Sequence, residues 1–194
     1  VAALSVFSAR RVAMERDRAT GEEARTRAVA SLLVDLFGAT APAPGNDPRT
    51  VSIDALLTQG EARVAALKDQ PEVQGEMYAT LARIRGERSE FPAGRALFEK
   101  SLDRYKAAGV PPASPGPIGA MFGQASLLQR MDAPAEAAKA LEAALVSLPA
   151  PSKNRARALH MLGESIGGPR GEELAREAVS MLGTVGATPL EVAG

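Results

Sequence analysis

The chain has 194 residues, with 23 Lys and Arg against 23 Asp and Glu, so its formal net charge is zero. Nucleic-acid binders usually carry a basic excess that neutralises phosphates, and this sequence has none. The absence of Cys excludes thiol catalysis, disulfides, iron–sulfur clusters and Cys-rich zinc sites, and a single His cannot form a multi-His metal site, so no cofactor is expected.

The composition favours an all-α fold. Hydrophobic residues make up 45 % of the chain, enough to bury a core, while aromatic residues make up only 4 %. Ala is abundant, and this is typical of helices that pack closely through small side chains rather than of a β-sandwich. The length fits one domain or a short array of repeats.

Residues 1–38 are predicted to form one long helix. The segment contains no Pro, its charges alternate in sign, and an apolar stripe at helical spacing runs from Val29 to Phe37. Because the first residue is Val1 rather than Met, the chain is expected to be a fragment or a processed product. Residues 1–7, VAALSVF, either end a membrane helix that begins upstream or start the long helix itself. In the first case residues 1–11 contact the membrane.

Residues 39–70 are predicted to form a loop followed by a second helix. The loop sequence APAPGNDPR is rich in Pro and Gly, which is typical of turns. The helix is expected to open near Thr50 or Ser52, and Pro71 is expected to mark its end. Its predicted apolar face consists of Ile53, Leu56, Leu57, Val64 and Leu67.

From there the chain repeats a pattern of small and apolar residues. In each segment a small residue is followed 12 positions later by another, then by an apolar residue four further on and a small or apolar one three further on. The sets are Ala82, Gly94, Phe98 and Ser101; Ala125, Ala137, Leu141 and Ala144; and Gly163, Ala175, Val179 and Leu182. Small residues let two antiparallel helices approach closely, and such pairs must stack on one another to form a core.

The pattern therefore predicts stacked helix pairs with defined boundaries. The first repeat spans residues 71–108, the second 119–149 and the third 150–188, with a Pro- and Gly-rich linker at 109–118 and a tail at 189–194. The sequence GGPRG, which begins at Gly167, lacks the Lys and the strand of a phosphate-binding loop. It is predicted to be the turn between the two helices of the third repeat.

The segment MYATLARIRGERSEFPAGRALFEKSL, from Met77 to Leu102, resembles a tetratricopeptide repeat. The family's signature positions are occupied by Tyr78, Leu81, Ala82, Phe91, Gly94, Phe98, Ser101 and Leu102. The second copy keeps a closing Pro149, whereas Arg85 and Gln124 stand where the family pattern is usually apolar. The resemblance implies a helix-turn-helix solenoid of about three repeats, whose superhelix is made irregular by these departures and by the linker.

A second resemblance covers residues 1–102. The order of a charged helix, a Pro-rich loop, a second helix and a first repeat is similar to the region after the transmembrane helix of bacterial membrane-anchored serine/threonine kinases with tetratricopeptide C-terminal parts. It implies that residues 1–7 end a membrane span and that the repeats are periplasmic, although Arg10 and Arg11 favour the cytoplasmic side. The chain itself carries no catalytic kinase motif, so no enzymatic activity is expected of it.

Protein binding is the expected activity of the repeats. The first helices of stacked pairs line the concave side, and the spacing from the small residues places on it Arg83, Glu87, Phe122, Ser126, Gln129, Arg130, Arg157, His160 and Glu164. One aromatic side chain among long polar ones is typical of a groove for a peptide or a helix. The alternative is that these residues merely face solvent, and His160 beside Glu164 is expected to be a surface residue rather than a catalytic base.

The sequence thus predicts a non-catalytic protein–protein interaction or scaffolding module within a membrane-anchored protein. An accessory structural subunit of a larger membrane complex is one alternative. A lipid or small-molecule binder in the groove is a second, but the Arg and Glu side chains of the predicted face disfavour it, because such a ligand needs a continuous apolar pocket.

Overall fold

The computed structural model describes residues 52–186, and these residues form α-helices and no strand. The helices are α1 (Ile53–Ala66), α2 (Pro71–Glu87), α3 (Phe91–Ala107), α4 (Pro115–Arg130), α5 (Pro134–Ser147), α6 (Lys153–Ile166) and α7 (Gly168–Thr184). The all-α prediction is confirmed for this part of the chain. The predicted long helix at 1–38, the membrane contact at 1–11 and the tail at 189–194 lie outside the described residues.

The chain divides into two compact units, residues 1–63 and residues 64–194. The structure describes residues 52–63 of the first unit, which form most of α1. The second unit contains the end of α1 and the helices from α2 to α7. Within the second unit each helix from α2 onwards packs against the next, and α4 also contacts both α2 and α6.

Proline residues fix where most of these helices begin. Pro71, Pro115 and Pro134 are the first residues of α2, α4 and α5, and the second residues of α3 and α7 are also Pro. Proline suits the first turn because its fixed φ is helical and the backbone N–H that it lacks would have no partner there. Pro71 therefore opens α2 instead of closing α1, and the predicted linker at 109–118 is shorter than expected because its last four residues belong to α4.

Three helix ends share one turn geometry: the end of α3, where Gly109 has a φ of 68° and Val110 N–H donates to the Tyr105 carbonyl at 3.0 Å, and the ends of α2 and α4. Ser89 after α2 and Asp132 after α4 have φ values of 61° and 56°, and each stands seven residues after the small residue that defines its repeat. The N–H of Glu90 donates to the carbonyl of Arg85 at 2.9 Å, and the N–H of Ala133 donates to the carbonyl of Leu128 at 3.0 Å. This six-residue bond beside a left-handed residue is the Schellman motif, which satisfies the free carbonyls of a helix end.

Helices α2 and α3 form a closely packed antiparallel pair. A Cβ atom placed on Gly94, near the start of α3, would lie 3.0 Å from the carbonyl oxygen of Ala82 in the second half of α2. At the other end, a Cβ on Gly75 would lie 3.1 Å from the ring of Tyr105, and the hydroxyl of Ser101 donates to the carbonyl of Gly75 at 2.6 Å. The predicted small positions Ala82, Gly94 and Ser101 are all buried.

Glycine residues of α4 receive the aromatic side chains of α3. The rings of Phe98 and Tyr105, seven residues apart, lie against Gly123 and Gly116, also seven residues apart, as expected for antiparallel helices in register. Both rings are buried. The two glycines therefore provide the space in which α3 and α4 interdigitate.

The third helix pair differs from the prediction. Gly163 of α6 lies against Gly171 of α7, eight residues later, so that a Cβ on Gly163 would lie 2.7 Å from the carbonyl oxygen of Gly171. The sequence pattern paired Gly163 with Ala175, and a Cβ on Gly163 would lie 3.5 Å from the backbone nitrogen of Ala175, but Ala175 is half-buried. Val179, which the pattern placed inside, is 56 % exposed. The buried positions of α7 are Gly171, Leu174, Ala178 and Leu182. The cause is the connection, which here is the single residue Gly167 with φ of 66° instead of three residues.

The side chains of α4 to α7 share one hydrophobic core. Its larger members are Ile118, Phe122, Leu141, Leu148, Leu159, Met161, Leu162, Leu174 and Leu182. Small residues between them, such as Ala125 and Ala156, let the helices approach. None of the helices in the described part of the chain is both long enough and apolar enough to cross a membrane.

Candidate functional site

The first helices of the three pairs lie side by side. Arg130 of α4 donates through Nη1 to Glu87 Oε1 of α2 at 3.0 Å, and Gln129 of α4 donates through Nε2 to Ser165 Oγ of α6 at 3.0 Å. Both contacts join residues from the C-terminal halves of their helices. Helices α2, α4 and α6 therefore run in the same direction, with α4 in the middle.

Six of the nine predicted groove residues are exposed on these helices, and we call them the first-helix face: Arg83, Glu87, Ser126, Arg130, His160 and Glu164. Arg83 and Ser126 lie in one row across the face, because the interval of 43 residues between them equals that between the bonded Glu87 and Arg130. His160 continues this row on α6, because its interval of 34 residues from Ser126 falls between the 32 and 36 residues that separate Gln129 from its partners Met161 and Ser165. Glu87, Arg130 and Glu164 form a second row one helical turn further on.

Phe122 is not part of this exposed surface. Its side chain is 5 % exposed and belongs to the core, so the expectation of an accessible groove aromatic is wrong for this residue. The guanidinium of Arg157, from α6, lies 5.1 Å from the centroid of the Phe122 ring. This distance is that of a cation–π contact, which accounts for the half-buried position of Arg157.

Gln129 is half-buried because it connects two helices. Its amide donates to the carbonyl oxygen of Met161 at 3.3 Å and to Ser165 Oγ at 3.0 Å, and the Ser165 hydroxyl donates back to the Met161 carbonyl at 2.9 Å. Ser165 is not among the residues that the sequence pattern predicts for the site. The periodicity of a single helix shows which side a residue lies on, but not which side chain of the neighbouring helix it can reach.

Arg130 connects α4 with the turn between α2 and α3. Besides its bond to Glu87, its Nη2 donates to the carbonyl oxygen of Gly86 at 2.9 Å, and its guanidinium lies 5.3 Å from the centroid of the Phe91 ring. The side chain is thus fixed by a carboxylate, a helix-terminal carbonyl and an aromatic ring. One of the predicted groove cations therefore has a structural role.

The same turn contains a second group of charges. Arg85, 7 % exposed, donates to Glu90 Oε2 at 2.6 Å, and Arg88 Nε donates to Glu90 Oε1 at 2.6 Å. The hydrogen bonds from Arg85 and Arg88 hold the pKa of the Glu90 carboxyl below its ordinary value of 4.5. This explains how an arginine occupies a position that the repeat pattern keeps apolar: its charge has a carboxylate partner.

The rest of the first-helix face is weakly connected. Arg83 Nη2 donates to Thr80 Oγ1 at 3.3 Å, and His160 Nε2 lies 3.6 Å from Glu164 Oε1 on the same helix. The latter pair is an ion pair only when the imidazole is protonated. Among the described residues no group of three or more His, Asp or Glu side chains is placed to hold a metal ion.

Comparisons with known proteins identify no relative: no family model, no curated protein and no solved structure matches the chain.

Proposed function

We propose that this protein is a non-catalytic module that binds another protein through the first-helix face. The observation that carries the proposal is the arrangement of exposed polar side chains on three adjacent helices. Bonds from Arg130 to Glu87 and from Gln129 to Ser165 hold these helices in register. A surface held by such contacts is preformed, which lowers the entropic cost of binding a partner.

We further propose that the helix pairs are degenerate tetratricopeptide repeats. Gly94, Ala137 and Gly171 are each the fourth residue of their helix, α3, α5 and α7, and all three are buried. The interval from Ala137 to Gly171 is 34 residues, which is the repeat length of the family. The matched turns at Ser89 and Asp132 also support repeated units. Stacked units of this kind create extended surfaces on one side of the array, which these proteins use for binding.

Photo-crosslinking in the native cell tests the binding surface. A photoreactive amino acid replaces Ser126 or His160 on the first-helix face, and Glu142 of α5 or Ser180 of α7 in matched control chains; all four positions are exposed. The proposal predicts that both face positions crosslink to the same protein while the control positions do not. Crosslinks that form only from α5 and α7 would place the interface elsewhere.

We also propose that the module belongs to a membrane-anchored protein and lies outside the cytoplasm. This rests on the similarity of residues 1–102 to the region that follows the membrane helix of bacterial receptor-type kinases. Affinity purification of the native full-length protein from membranes, followed by intact-mass spectrometry, tests it. A heavy parent chain with kinase peptides supports the receptor; a small parent in fixed stoichiometry with a membrane complex supports an accessory subunit. Recovery in the soluble fraction contradicts both.

A further inference from the structure

On the first-helix face and beside it, the carboxylates have cationic neighbours, whereas two arginines have no carboxylate partner among the described residues. Glu87 accepts from Arg130, and Glu164 lies beside His160. Among the described residues, Arg83 donates to the Thr80 hydroxyl, and the Arg157 guanidinium lies over the Phe122 ring. Within residues 52–186, neither of these two guanidiniums is in an ion pair with a carboxylate.

The residues between the two arginines are hydrogen-bond donors. Ser126 lies beside Arg83 in the same row, His160 follows it on α6, and both are exposed. A serine hydroxyl and an imidazole N–H can each donate, and a guanidinium presents five N–H groups in a plane that matches a carboxylate. The strip from Arg83 to Arg157 is therefore complementary to a ligand rich in acceptors and negative charge.

The helix spacing sets an upper scale for the separation of the charges that such a ligand needs, because the Arg157 guanidinium reaches back over the Phe122 ring of α4. Arg83 is on α2 and Arg157 is on α6, with α4 between them. Two interhelix distances of about 8–10 Å give about 16–20 Å between the outer axes. An extended polypeptide covers that distance in about five or six residues at about 3.3 Å per residue.

We propose that this strip binds an extended segment of a partner protein that carries two acidic side chains separated by up to about five or six residues. One carboxylate binds Arg83 and the other binds Arg157, and the polypeptide between them crosses α4 near Ser126. The inference rests on the proposed function and adds the chemical class of the partner. The proposed ligand binds Arg83 and Arg157 and leaves the ion pair between Arg130 and Glu87 intact.

Fluorescence anisotropy with defined peptides and the full 194-residue chain tests the proposal. The probe is a labelled ten-residue Ala/Ser peptide with two Asp residues five positions apart. Its matched forms carry Asn at both positions, Lys at both positions, or two adjacent Asp residues. A single-stranded oligo-dT of ten nucleotides serves as a different polyanion.

The spaced Asp peptide is expected to bind most tightly, with an affinity that falls as salt is raised. Arg83→Gln and Arg157→Gln should each raise its Kd by about fivefold, whereas Arg176→Gln, on the exposed side of α7, should leave it unchanged. Circular dichroism checks that the helices are retained in each variant.

Three outcomes would overturn the inference. If the Asn peptide binds equally well and is insensitive to Arg83→Gln, the acidic requirement is wrong while protein binding by the face stands. If oligo-dT binds more tightly than any peptide, the strip recognises a different polyanion. If no peptide binds up to about 1 mM, the acidic segment is wrong, and the photo-crosslinking experiment separately decides the proposed function.

Discussion

The hydroxyl oxygen of Tyr105 occupies the space beside Gly116 so fully that a Cβ atom on that glycine would lie only 2.6 Å away. About two helical turns further along α4, a Cβ on Gly123 would lie 2.5 Å from Cζ of Phe98. Both rings are buried, so a shift that made room for the Cβ would disturb the side chains packed around them. The contact of α3 with α4 thus depends on glycines whose role is the absence of a side chain.

Gly116→Ala and Gly123→Ala are therefore expected to destabilise the protein by about 1–3 kcal/mol each, because the added methyl group overfills the helix contact. Gly119→Ala is the matched control: it lies on the same helix and nothing is within 4 Å of its added Cβ. It should be neutral or stabilise by up to about 1 kcal/mol through helix propensity. Urea denaturation followed by the helical circular-dichroism signal measures all three, and equal effects would contradict the glycine contact.

At the left-handed turn residues the introduction of Gly, rather than its removal, is expected to stabilise the protein. Ser89→Gly should stabilise the protein by about 0.5–1 kcal/mol, because a Cβ is unfavourable at a φ of 61° and the Schellman bonds use only the backbone. Asp132→Gly should gain less, since Asp tolerates this conformation better than Ser. Gly109→Ala, at a φ of 68°, is the reverse change and should destabilise. Thermal denaturation of the variants would refute this if Ser89→Gly lowered the Tm.

The Glu90 carboxylate, in the turn between α2 and α3, makes the stability of the protein depend on pH. Glu90→Gln removes the carboxylate that pairs with the buried Arg85 and with Arg88, so the variant should have a lower Tm than the wild type at pH 7. The folded-state pKa of Glu90 is lowered, so its contribution is fully present above the unfolded value and is lost as the pH falls below 4.5 through the folded pKa.

The Tm difference between the wild type and Glu90→Gln should accordingly shrink in acid. Glu142→Gln changes an exposed side chain of α5 and is the matched control, with a Tm close to that of the wild type throughout. A Tm difference that stays the same from pH 7 to pH 3 would rule out Glu90 as the titrating group.

Helix α5 provides a test of the small positions. Ala137, which is fully buried, should not accommodate a larger side chain, and Ala137→Leu is expected to cost about 1–3 kcal/mol through overpacking. Ala135→Leu makes the same change at an exposed position two residues earlier, where the effect should stay within about 0.5 kcal/mol. Chemical denaturation that gave the two variants the same stability would show that the second pair is loosely packed.

The sequence pattern correctly predicts which small residues are buried in the first two helix pairs. Ala82, Gly94, Ala125 and Ala137 are all buried, as the 12-residue spacing requires. In the third pair Gly163 lies closer to Gly171 than to Ala175, because a one-residue turn changes which residues face each other. A period can be read from residue types, whereas the length of a tight turn depends on backbone conformation at glycine.

The candidate site is predicted less completely for a related reason. Helical spacing correctly finds exposed positions such as Arg83, Ser126 and His160. It does not show that Phe122 is covered by Arg157, or that Gln129 reaches Ser165. These contacts depend on the distance between neighbouring helices, which is set by the small residues beneath them and not by the exposed residues themselves.

Arg130 links the first two helix pairs, so we expect them to open together when the native state unfolds locally. Its guanidinium is attached to α4 and is held by the Gly86 carbonyl of α2 and the Phe91 ring of α3. Neither pair can separate from the other without exposing a carbonyl and an aromatic ring that this one side chain covers. In an array where each unit contacts mainly its neighbours, such a contact couples the two pairs, and we expect the backbone amides of α2, α3 and α4 to exchange with solvent as one cooperative unit.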